Sequence, residues 1–382
     1  MKALPRLLLS LILVLATPAM TSAAEHQQAT SSTPKIQLAI LLDTSSSMDG
    51  LIDQTRKQLW QIVDEFSKTT KHNVTPTLEV AVYEYGNDNL QRQQGYTRRL
   101  VGLTGDLDRV SEALFSLTTN GGSEYCGYAI KRAIEGLQWS PAEDDIKAIF
   151  IAGNEPFSQG PVNYKNAISL AQQSGIVVNT IHAGDYAEGA QSGWREGALL
   201  AGGDYMHINH NHQIAQIAAP QDQAIATLNQ QLNKTYIPYG KDGEKGRVRQ
   251  EQQDQNSNKL SLGLLAKRAK TKASSLYDNS NWDLVDALSS GSVDLNNVEQ
   301  AALPEPMRAM SPNEQKNFIE EKREARKKIQ HEIKELSAAR DKYIAEKENE
   351  ALAESVNTMN DAVISAIRKQ GEKKAFSFFG HE

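Results

Sequence analysis

Asp43, Ser45 and Ser47 stand at alternate positions where the apolar run 36–42 (IQLAILL) ends. One carboxylate and two hydroxyls leaving a single strand end are hard oxygen donors of the kind that divalent cations such as Mg2+ take. The location fits, because open α/β sheets bind ligands beyond the carboxyl ends of their strands. Without an ion, the same residues read as a serine-rich turn with an aspartate capping the next helix.

Other constellations are weaker. His207, His210 and His212 cluster in HINHNH, but no Cys or acidic ligand follows at zinc-site spacing, so a polar turn after a strand is the better reading. Cys126 beside Glu124 invites a nucleophile, which would need a histidine base. The candidates His182 and His207 fall on other segments, and a small buried thiol at a helix start is the simpler expectation. No glycine-rich phosphate loop of the P-loop kind is present, so nucleotide hydrolysis has no support.

The elements that would position the DxSxS motif alternate in period. Residues 36–42, 78–85, 146–152 and 176–182 read as buried strands, with a short strand at 205–208. Helical spacing runs through 51–69 (Ile52, Thr55, Leu59, Ile62, Val63, Phe66), and through 107–117, 128–137, 167–173, 194–201 and 214–232. Strands separated by helices imply an α/β fold, doubly wound around a mostly parallel sheet. Past Tyr236 the composition shifts. Residues 237–311 read as a linker and a small packed segment, with 240–258 polar and lacking any apolar stripe. Residues 312–382 read as a charged helical region. There Ile329, Ile333, Leu336 and Tyr343 follow a seam that Arg340 and Lys347 interrupt, short of the clean heptads of a coiled coil. Leu352, Val356, Met359, Val363 and Ile367 make a second stripe.

Residues 1–24 carry Lys2 and Arg6, a short apolar core and the small residues Ser22, Ala23 and Ala24, the pattern of a secretory signal. Residues 25–34 are polar and expected to be disordered. Cleavage after Ala24 would move the net charge from −6 to −8, which disfavours nucleic acid as a partner. No later stretch is apolar enough to span a bilayer, and a single cysteine excludes an internal disulfide.

The IQLAILLDTSSSM start, the βα alternation and the span 35–236 resemble the von Willebrand factor type A domain, over a little more than half the chain. In that family the strand-end motif joins a threonine from a second loop and an aspartate from a third, forming a metal-ion-dependent adhesion site that usually holds magnesium. Here the second loop is NGGSEYCGYAI. Counting back from Gly127 puts Glu124 at the threonine position, and counting forward from Gly121 and Gly122 puts Ser123 there. In the third loop Gly153 falls at the aspartate position, with Asn154 and Glu155 after it. The resemblance therefore implies an altered site of Asp43, Ser45, Ser47 and Glu124, loaded with Mg2+ or with Mn2+ or Ca2+. Trp194 to Ala198 and the run LNQQLNKTYIPYG resemble a bacterial exported subgroup, and Trp282 to Ala287 resembles the segment after the domain in that subgroup.

The function this implies is non-enzymatic. An exported, periplasmic or secreted module of the bacterial envelope would bind a partner's Asp or Glu carboxylate through the cation. The alternatives are an envelope hydrolase or other metal-dependent enzyme built on the same loops, and a structural scaffold with a degenerate metal site. The sequence does not set the oligomeric state. N-terminal sequencing of the exported protein should read from Glu25; an intact Met1 in a membrane fraction would contradict the signal reading.

Overall fold

Residue alternation in the first strand sets the layers of the molecule. In β1 (Lys35–Asp43), Leu38, Ile40 and Leu42 face one side of the sheet and Ala39 and Leu41 the other, each within its own apolar cluster. A strand buried on both faces needs helices above and below. A computed structural model shows that arrangement; it describes residues 33–208, 217–351 and 359–378. The sheet order is β4-β3-β1-β5-β6-β7, built from β3 (Thr77–Tyr85), β4 (Thr97–Thr104), β5 (Ile146–Gly153), β6 (Val177–Ala183) and β7 (Tyr205–Ile208). All pairings are parallel except β3 with β4, which is antiparallel at the edge. β1 lies between β3 and β5, so the chain winds outward from it in both directions. Asp43 therefore ends the strand at the topological switch point.

One face is covered by α3 (Cys126–Gly136), α4 (Tyr164–Gln173) and α6 (Trp194–Leu200), which pack Ala129, Ile130, Ile168 and Trp194 against Leu41 and Ile151. The other is covered by α1 (Asp49–Ser67) and α2 (Leu107–Phe115) together with helices from beyond Tyr236. The stripe expected in α1 is the buried one: Ile52, Leu59, Ile62, Val63 and Phe66 are all in the core.

The region after Tyr236 departs from expectation. Residues 240–258, read as a linker, lie mostly in α8 (Gly243–Leu260). Its buried face is Gly243, Gly246, Gln250, Gln253, Asp254 and Ser257, a helical stripe made of glycine and polar residues that hydropathy does not register. Gly246 is there because the Trp282 ring occupies the place of a side chain: a Cβ would lie 2.3 Å from it. α8 packs on α2 and on α9 (Leu262–Lys272), whose Leu264 and Ala269 join the core under β1. The charged region forms α12 (Pro312–Ala351), lying on α9 and on α7 (Asp222–Asn233), and α13 (Met359–Glu372), packed on α1. Of the second apolar stripe, Leu352 and Val356 lie outside the described residues, as do the signal segment, His210, His212 and the start of the helix expected from 214; α7 begins only at Asp222. Three of the described strands are absent from the sequence reading: the edge strand β4, whose sequence TRRLVGLT mixes arginines into its run, and the short pair β2 (Thr69–Lys71) and β8 (Phe376–Phe378). Among the described residues no helix is long and apolar enough to cross a membrane.

Buried charge joins the helical region to the sheet domain. Arg268, fully buried, reaches Asp108 on α2 and Asp254 on α8, each at 2.6 Å, and its guanidinium lies 4.7 Å from the Trp60 ring centre. Lys272 meets Asp254 at 3.0 Å. Arg340, which interrupts the apolar seam in sequence, is buried against Asp222 at 2.6 Å, and Arg326 bonds Asp283 at 2.7 Å. Breaking a buried pair from one side strands the remaining charges away from water. Arg268→Ala should lower unfolding free energy by about 3–5 kcal/mol, measured by urea denaturation; a loss below about 1 kcal/mol, the scale of exposed pairs, would contradict the network's role.

Candidate metal centre

Asp43 sits in register with Tyr85 across the β1–β3 pair, and is fully buried. Its Oδ1 accepts the Ser45 backbone N–H at 2.8 Å, an Asx-type turn that bends the chain out of the strand. The first loop is then tied to the second: Ser46 N donates to Gly121 O at 2.9 Å, and Gly121 N to Ser46 Oγ at 2.9 Å. This carries Glu124 over the strand ends, where it is 3% exposed. The residue before α3, Tyr125, makes no side-chain cap. Its backbone N–H donates to Gln159 Oε1 at 2.6 Å.

Gly86 allows the two acids to approach. Its φ is +82°, and a Cβ built on it would fall 2.7 Å from Asp43 Oδ1 and 2.8 Å from Glu124 Cγ. The third loop meets the same spot. A Cβ on Gly153 would lie 3.1 Å from Asp43 Oδ2 but only 2.4 Å from Tyr85 Oη. The Tyr85 hydroxyl, donating to Ala152 O at 3.0 Å, thus fills the room that an aspartate at this position would need.

The structure brings Asp43, Ser45 and Glu124 together. Ser47 is exposed; its Oγ accepts from Asn154 Nδ2 at 3.4 Å, linking the first loop to the third. Ser123, the competing candidate, pairs through its backbone with Gly86 instead. Tyr85, Asn154 and Glu155 complete the surroundings. Tyr85 was not legible as part of the site, because nothing in the sequence places the end of β3 beside β1.

Electrostatics and hydrogen bonding single out this corner. Asp43 Oδ2, Ser45 Oγ, Glu124 Oε2 and Asn154 Oδ1 are all buried and have no hydrogen-bond partner. Buried polar atoms are normally paired. Burial pushes the Asp43 carboxyl up to about 8, against the Ser45 N–H that lowers it, with Glu124 and Glu155 adding repulsion. Burial also raises Glu124 to about 7, helped by Glu155. Among the described residues no group of three or more His, Cys, Asp or Glu is arranged to hold a metal. The donor set here is two carboxyls with hydroxyl and amide oxygens, which fits a hard cation that takes one or two carboxylates and keeps waters.

The nucleophile reading fails on geometry. Cys126 is buried, its Sγ lies 3.7 Å from Tyr85 Oη, and burial raises its pKa. The His182 ring nitrogens face Asp185 O at 3.1 Å and Asn154 O at 3.2 Å instead.

Residues 37–194 match the family model of the von Willebrand factor type A domain. The match ends at the first residue of α6, ahead of β7 and α7. The chain is similar to proximal thread matrix protein 1 from the mussel byssus, with 16% identity over 46% of this chain and 42% of that one and a TM-score of 0.35. It therefore spans about two-fifths of the length of that protein. It is also similar to the conserved hypothetical protein BatB from Bacteroides thetaiotaomicron, with 17% identity over 45% and 90% of the two chains and a TM-score of 0.34. A von Willebrand factor type A protein from Catenulispora acidiphila gives 18% identity over 46% and 39%, with a TM-score of 0.34. No curated protein matches the chain.

The raised carboxyls fix a pH dependence. A folded protein that holds protons the unfolded chain has released loses stability as pH rises. In chelator, the melting temperature of the protein should fall as pH rises from the ordinary carboxylate range through about 8, the value to which Asp43 is pushed. Asp43→Asn should flatten that slope, and an unchanged slope would contradict the shared burial of the two acids.

Proposed function

We propose that the type A domain is a divalent-cation-dependent protein-binding module of the bacterial envelope, exported by its N-terminal segment, and not an enzyme. The observation that carries this reading is the set of unpartnered buried oxygens on Asp43, Ser45 and Glu124 at the switch point of the sheet. A bound cation supplies positive charge to which a partner's Asp or Glu carboxylate can bind. The protein's own residues do the rest. Asp43 and Glu124 give up protons to provide the anionic oxygens, and Ser45 and Ser47 provide neutral ones. Gly86 keeps the two carboxyls adjacent, and the Asx turn at Ser45 fixes the direction of Asp43. Magnesium is the expected ion, with Mn2+ or Ca2+ as substitutes of the same hard class. The signal pattern at residues 1–24, which lies outside the described residues, supports export.

Melting curves with and without magnesium test this. At a hundredfold excess over its dissociation constant the ion should add about 2.7 kcal/mol to wild type and nothing to Asp43→Ala. In chelator, the Asp43→Ala variant should match or exceed wild type, because it has lost a buried acid that repels Glu124. An equal magnesium-induced rise in both proteins would exclude this strand end as the metal site.

A further inference from the structure

Next to the candidate metal centre lies an open cavity of about 630 Å³, lined by Arg92, Ser123, Tyr125, Gln159, Gly160 and Pro161. Ser123 and Tyr125 flank Glu124, and Gln159 accepts the Glu124 N–H, so the cavity and the acidic corner share a wall. Arg92 opens a short 3-10 turn, Arg92–Gln94, and is exposed. Among the described residues its guanidinium has no ion-pair or hydrogen-bond partner.

The turn that carries Arg92 is held in place. Gly86, the floor of the acidic corner, donates its N–H to Tyr96 O at 3.0 Å, and Tyr96 N donates to Gln91 O at 3.2 Å. The Tyr96 and Tyr125 rings meet edge to face at 5.5 Å between centres. Tyr128 Oη donates to Gln93 O at 3.4 Å, and Gly95 has φ +62° with the Tyr128 ring where a Cβ would stand. Opposite, Gly160 leaves room for the Tyr125 ring, 2.5 Å from where its Cβ would be. The result is an exposed positive group on a held turn, lining a polar and aromatic trough together with Ser123 and Tyr125, the two neighbours of Glu124.

The sign of the charge decides what fits. The corner itself is crowded with acids: Glu124 and Glu155 act on Asp43, and Glu155 and Asp88 act on Glu124. An acidic ligand is repelled from it until a cation is bound, whereas Arg92 remains positive throughout. We infer that the trough binds an extended acidic peptide segment through two carboxylates, one at the metal centre and the next at Arg92, with Tyr125 and Pro161 flanking the backbone between them. Charge-assisted contact to a guanidinium gives a carboxylate both strength and direction. This inference rests on the proposed metal-dependent binding, and it adds a second acidic position for the partner.

The test uses the full chain and two fluorescein-labelled glycine-serine peptides, read by anisotropy in magnesium and in EDTA. One carries a single aspartate; the other carries a second aspartate two residues further on. In magnesium, wild type should bind the doubly acidic peptide about tenfold more tightly than the single one, the scale of one charge-assisted hydrogen bond. Arg92→Ala should reduce the doubly acidic peptide to the affinity of the single one, leaving the single one and the magnesium-induced rise in melting temperature unchanged. Arg109→Ala on α2, which lines no part of the cavity, should change neither peptide. If binding needs magnesium but Arg92→Ala leaves the preference intact, or Arg109→Ala abolishes it equally, the trough is overturned and the metal-dependent reading stands. If both peptides bind equally well in EDTA, the metal-dependent reading falls and the inference falls with it.

Discussion

Two carboxyl groups share one buried corner, where burial makes ionising either of them costlier than in water. Asp43 and Glu124 are brought together by the β1 strand end, the second loop and a glycine whose missing side chain leaves them room. Burial holds both in the protonated form well past the usual carboxylate range. A positive ion reverses that preference, because its charge offsets desolvation and repulsion at once. The same corner constrains the third loop: with Tyr85 Oη against Gly153, a side chain at that position has no room.

The sheet domain was legible because its strands are continuous apolar runs and its helices keep a single apolar stripe. β1, β5 and α1 fall within a few residues of their expected places for that reason. What escaped was built from residues whose burial depends on partners. α8 buries Gln250, Gln253 and Asp254, which a hydropathy pattern counts as solvent-facing, and they are inside because Arg268, Ser111 and Tyr277 meet them. Arg340 looks like a break in a seam until Asp222 is beside it. β4 is an edge strand with a single strand neighbour in the sheet, so its pattern is diluted by Arg98 and Arg99, which bond Glu84 and the Gly136 carbonyl.

At the candidate site the motif gave Asp43, Ser45 and Ser47 directly, and two ways of counting the second loop left Glu124 and Ser123 as rivals. Sequence alone does not choose between them, since the difference is one residue of register in a loop. The pairing of Ser123 with Gly86 turns the neighbouring Glu124 toward Asp43. Tyr85 could not be read as part of the site, because its role depends on which strand lies beside β1.

The central claim is that the acids of this corner hold protons in the metal-free protein and release them to a cation. Calorimetric titration with magnesium near neutral pH, repeated in buffers of different ionisation enthalpy, measures that release directly. The account predicts that binding expels on the order of one proton per ion, and that the release is lost in Asp43→Asn. Magnesium binding with no proton release, or with the same release in the variant, would contradict it.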